Sequence, residues 1–160
     1  MNIAKHWRKS NSPSSQKKPF YQRNLRLKSY LSTAILASLI GTYLDLLLVG
    51  AGLYFFPKRL FSEIFTINIL FTICILPLCT FLIIFVLKRI HPLLRYFFLL
   101  ICSLFAYIAE QTAEQLGLFI HSPDWQHEFS LIGYFLFLIL IWRFYCWLEK
   151  GEREDYSKMR

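Results

Sequence analysis

Four polar residues stand inside otherwise apolar stretches of this chain: Asp45, Asn68, Glu110 and Glu114. A carboxylate within a membrane span costs about 2.5–3.5 kcal/mol on insertion scales, so such groups face a bundle interior or water and bond to something there. Three chemistries suit them. They can be hydrogen-bonding glue between helices, a proton or cation site, or an acid and base working on a lipid headgroup. Depth favours one shared cluster. Asp45 lies 17 residues past Lys28 and Glu110 15 past Arg95, which at ~1.5 Å per residue puts the two at similar heights. Counted from Lys88, Asn68 comes about one turn further out, beside Glu114.

The surrounding residues extend this pattern. Ser103, Tyr107, Glu110, Glu114, Gly117 and His121 recur at spacings of four and three, one polar or small seam on a third helix. Ser38, Gly41, Thr42, Asp45 and Gly52 form a face of mostly small residues on the first, and the two faces are expected to meet. Thr42 and Tyr134 join Ser103, Tyr107 and Gly117 as support for the cluster. The polar loop 121–128 offers His121, His127 and Trp125, the last as an interfacial anchor. No metal-ligand spacing of the H-E-x-x-H or C-x-x-C kind occurs, no nucleophile has a recognisable base, and no cofactor motif is present. Cys74, Cys79, Cys102 and Cys146 read as small packing residues.

Only a membrane bundle positions such residues in so oily a chain. Of its 160 residues 56% are hydrophobic and 18% aromatic, more than a soluble core of this size can bury. The expected architecture is all-α: an integral membrane bundle of four transmembrane helices at 30–56, 63–87, 93–120 and 129–148. Pro77 should kink the second. A basic tail at 1–29, expected to be disordered, and a charged tail at 149–160 flank the bundle.

Fifteen of the 18 Lys and Arg fall in the two tails and the 88–95 loop, whereas the other side has only Lys58 and Arg59. The positive-inside rule therefore places both termini in the cytoplasm, with the plasma membrane as location. The counter-charge for the basic tail is anionic lipid headgroups, not nucleic acid.

Thr42-Tyr43-Leu44-Asp45, Gly52-Leu53-Tyr54-Phe55-Phe56-Pro57, Leu76-Pro77, Glu110, Gly117, Trp125, Ser130 and Tyr134 together resemble an uncharacterised family of small multi-pass membrane proteins of endospore-forming bacteria. The resemblance covers residues 31–148. It implies a four- or five-helix fold in the cytoplasmic membrane, with Asp45, Glu110 and Trp125 in the family's pattern, and it supplies no activity. Where such proteins often carry an acid ahead of the Leu-Pro of helix two, this chain has Asn68. The leading expectation is a non-enzymatic structural or helper component that orders its own bundle, self-associates or docks another membrane protein. The alternatives are a small proton- or cation-linked carrier or channel, and a lipid-headgroup-modifying enzyme.

Overall fold

A computed structural model describes the backbone of residues 20–123 and 125–158, with side chains from Leu27 onward except those of residues 127, 155, 156 and 158. The tail before Phe20 and the His127 side chain lie outside the described residues. The protein is mostly helical: α1 (Phe20–Gly50), a π-helical turn (Phe71–Ile75) leading into α2 (Leu76–Leu87), a short 3-10 turn (Pro92–Leu94) leading into α3 (Arg95–Gln115), and α4 (His127–Lys158). Two short strands, β1 (Tyr54–Phe55) and β2 (Ile120–His121), join the ends of α1 and α3.

Three segments, Leu27–Gly50, Pro92–Gln115 and Glu128–Glu154, are long and apolar enough to cross a membrane. Their outer faces are apolar too: Leu39 is 63% exposed, Phe105 68% and Leu136 59%. Surfaces of that kind need lipid or a partner against them. Helical structure also begins ten residues before the expected start of the first span and runs through most of the expected C-terminal tail.

The second helical segment is shorter than its apolar stretch. Phe71–Leu87 spans only ~25 Å at ~1.5 Å per residue, against ~30 Å of hydrocarbon. The residues before it, expected to be helical from 63, instead form a loop held by Arg59. That guanidinium donates to the carbonyls of Phe56 (2.6 Å), Ser62 (2.9 Å) and Phe65 (2.5 Å).

Pro77 acts here through its missing N–H. In the π register each N–H reaches back five residues, as Leu76 does to Phe71 O, so the next bond, to Thr72 O, has no donor. Ser38 of α1 fills the gap, its Oγ donating to Thr72 O at 2.6 Å. Ser38→Ala is expected to cost about 1–2 kcal/mol by leaving that carbonyl unpaired. The measurement is the midpoint of thermal unfolding in mild detergent, and adding Pro77→Ala, which restores an N–H, should recover much of the loss. An unchanged midpoint in Ser38→Ala would mean that the carbonyl finds another donor.

Both α1 and α3 stop at a glycine with positive φ, Gly52 (+73°) and Gly117 (+66°). At each, the glycine N–H reaches back three residues and the following leucine N–H five: Gly52 to Val49 and Leu53 to Leu48, Gly117 to Glu114 and Leu118 to Ala113. This is the Schellman arrangement, and a Cβ would be strained there. The first and third helices therefore end short of 56 and 120, and Gly52 and Gly117 turn the chain instead of lining a helix face.

The spacing of 65 residues between these glycines also relates Ser38 to Ser103, Asp45 to Glu110, and the paired Phe55 and Ile120 to each other. α1 packs on α2 and α4, and α3 packs on α4. The small face of α1 receives α2, not α3, since a Cβ on Gly41 would run into Leu76. One core, around Leu87, Leu99 and Tyr145, lies between the helices; a second, of Tyr54, Phe56, Ile67 and Phe119, lies under the strands.

Candidate functional site

The strands carry side chains back onto the acids. Tyr54 of β1 donates to Asp45 Oδ1 at 2.5 Å. Its hydroxyl is pushed far above the usual range, by burial first and then by Asp45, with Tyr134 and Glu110 adding, so it stays a donor.

Glu110, only 9% exposed, is the best-bonded acid. Ser130 Oγ donates to its Oε1 at 2.6 Å, and the Tyr134 hydroxyl donates to Oε2. Both donors are on α4, four residues apart and so on one helix face. The carboxylate therefore ties α3 to α4. Trp125 Nε1 in turn donates to Ser130 Oγ at 3.1 Å, which fixes the hydroxyl proton toward Glu110.

His121 completes the arrangement. Its Nε2 stands 2.9 Å from Glu110 Oε1 at an ion-pair contact, its Nδ1 is 3.2 Å from Glu114 Oε2, and its backbone N–H donates to Glu114 Oε1 at 3.3 Å. Trp125 stacks over the ring at 5.7 Å, and Phe119 meets it edge-on at 4.5 Å, leaving the side chain 4% exposed.

Asp45, Glu110, Glu114, His121 and Tyr134 thus come together at the end of the bundle that carries the strands. His121 does so by a different route from the one its spacing suggests, because the seam breaks at Gly117 and β2 folds the histidine back. Asn68 stays apart: its side-chain oxygen accepts the Phe71 N–H at 3.4 Å, a local cap. Ser103 is likewise local, donating to Leu100 O at 2.8 Å. Thr42 and Tyr107 are half-buried, with no side-chain hydrogen bond among the described residues. Trp125 is a lid over His121 and not an outward anchor.

Two partners went unassigned in the sequence. Tyr54 and Ser130 are ordinary in a hydropathy plot, and only the alternation around Gly52-Leu53-Tyr54 hints that Tyr54 points inward. Among the described residues no group of three His, Cys, Asp or Glu side chains is arranged to hold a metal ion.

The comparisons are silent. No protein-family model, curated protein or solved structure matches the chain. The chemistry on offer is a set of acids whose oxygens are largely occupied by fixed donors: Glu110 by Ser130 and Tyr134, Glu114 by His121, and Asp45 by Tyr54 through one of its two oxygens.

Proposed function

We propose that this chain is a four-span protein of the cytoplasmic membrane, with both termini inside, that serves as a non-enzymatic structural or helper component. Its acids fasten the outer end of the bundle. The observation that carries this reading is Glu110, whose carboxylate accepts from Ser130 and Tyr134 of α4 and faces His121 of β2. Oxygens so engaged are suited to joining elements, and they leave little capacity for a transported ion. The α2 segment completes its crossing with help from the apolar loop before it, where Phe61 is 59% and Ile64 74% exposed. A partner or a second copy would sit against the exposed apolar faces.

A second reading, a small proton- or cation-linked carrier, draws on Asp45. Its Oδ2 is buried with no hydrogen-bond partner among the described residues. A lipid-headgroup-modifying enzyme draws less support, because it needs its acid and base open to headgroups while Glu110 and His121 are covered.

The experiment is reconstitution in liposomes with proton and potassium flux recorded for wild type and for Asp45→Asn with Glu110→Gln. The structural reading expects no flux above that of empty liposomes from either protein, together with recovery of a membrane partner or a self-associated form in mild detergent. A flux that the double substitution abolishes would replace it with the carrier.

A further inference from the structure

At the opposite end of the bundle from the carboxylates, α2, α3 and α4 leave a cavity of about 400 Å³ whose rim is strongly basic. Lys88, Arg95, Lys150 and Arg153 line it against a single acid, Glu149, and Trp142 and Cys146 give it an apolar wall. Glu149 is already shared. It takes Lys88 at an ion-pair contact and Arg153 Nη2 at 3.4 Å, and Lys88 also donates to the Tyr145 hydroxyl at 2.9 Å.

Arg95 is the residue left over. Half-buried at the start of α3, it donates from Nε to the carbonyls of Leu87 (3.1 Å) and Ile90 (3.3 Å) and sits 5.2 Å from the centre of the Trp142 ring. Among the described residues no carboxylate pairs with it, and its two Nη groups donate to nothing. A guanidinium drawn partly out of water needs a counter-ion, and its planar fork matches the oxygens of a phosphate.

We propose that this cavity binds the phosphate of an anionic phospholipid headgroup, with Arg95 as the central donor and Arg153 and Lys150 at the rim. A basic pocket between helix ends at the level of the headgroups is a recurrent form of lipid site. The surroundings favour a lipid over a free anion. Trp142 and Cys146 give the cavity its apolar wall, and Leu93 and Trp147, each adjacent in sequence to the segments that line it, are 82% and 68% exposed, apolar surface suited to acyl chains. Lipid held here would join the ends of α2, α3 and α4 that carry the cavity.

The test uses the full chain in phosphatidylcholine bilayers and spin-labelled phosphatidylglycerol, with spin-labelled phosphatidylcholine as reference. Wild type should hold the anionic label several-fold more tightly. Arg95→Gln should bring that preference down to nearly none, as expected for loss of a charge-assisted bond. Arg153→Gln, an exposed change that does not threaten folding, should weaken it in part. Arg89→Gln removes the same charge from the same end outside the cavity and should leave the preference intact. Equal retention of both labels by wild type, or equal loss in Arg89→Gln and Arg95→Gln, would overturn the proposal. Displacement of the label by inorganic phosphate at millimolar levels would assign the cavity to a soluble anion and overturn the lipid.

Discussion

Replacing Glu110 with Ala is expected to destabilise the protein by about 3 kcal/mol, the largest effect of any single change at the carboxylate site. The carboxylate is the common acceptor of Ser130 and Tyr134 and the neighbour of His121 Nε2. Its removal leaves two buried hydroxyls and an imidazole facing a void that water does not readily enter. Each orphaned donor costs about 1 kcal/mol or more, and the cavity adds to that. For a chain of this length the thermal midpoint in detergent should fall by about 6–12 °C. Glu110→Gln should fall about half as far, because the amide keeps one acceptor oxygen but turns an N–H toward a donor. If Glu110→Ala melts with wild type, the carboxylate does not hold α3 to α4.

His121→Ala is expected to cost about 2–3 kcal/mol for a different reason. The imidazole stands between Glu110 and Glu114 and is the floor on which Trp125 stacks. Without it nothing stands between the Glu110 and Glu114 carboxyl groups at the end of α3, and the indole loses its contact. The part due to the two carboxyl groups can be separated from the packing part. Glu114→Gln in the His121→Ala background should recover about 1 kcal/mol, while in the native background the same change should be mildly destabilising because it removes an acceptor from His121. Equal effects of Glu114→Gln in both backgrounds, measured by thermal unfolding, would show that His121 does not mediate between the acids.

Much of this arrangement is legible in the residues, and the failures share a cause. The apolar runs give three of the helices to within a few turns, and Asp45, Glu110 and Glu114 stand out because charge inside such a run is costly. What hydropathy cannot show is where a helix stops while the chain stays apolar. Gly52-Leu53-Tyr54 and Gly117-Leu118-Phe119 read as helix because nothing in them is polar, yet each glycine takes a left-handed conformation and sends the chain into a strand. The pairing of those strands joins residues far apart in sequence, so it leaves no local signal. Two consequences follow. Tyr54 and Ser130 went unassigned as partners of the acids, and His121 was placed on a helical seam that ends before it.

Helix two failed for a related reason. Its start was read from the apolar run after Glu63, but Arg59 binds the carbonyls of that stretch and holds it as a loop. Asn68 then sits at the entry to the π-helical turn, occupied with Phe71. The equal 65-residue spacing of the two glycine turns and of the paired Phe55 and Ile120 is likewise invisible to hydropathy.

A double-mutant cycle between Glu110→Ala and Tyr134→Phe, read by thermal unfolding in detergent, tests the polar fastening most directly. If Glu110 joins α3 to α4 through the Tyr134 hydroxyl, Tyr134→Phe should cost about 1–2 kcal/mol in the native protein and almost nothing once Glu110 is gone. Losses that simply add, to within a few tenths of a kcal/mol, would mean that the two groups do not work on each other and that the strand-bearing end of the bundle is held by something else.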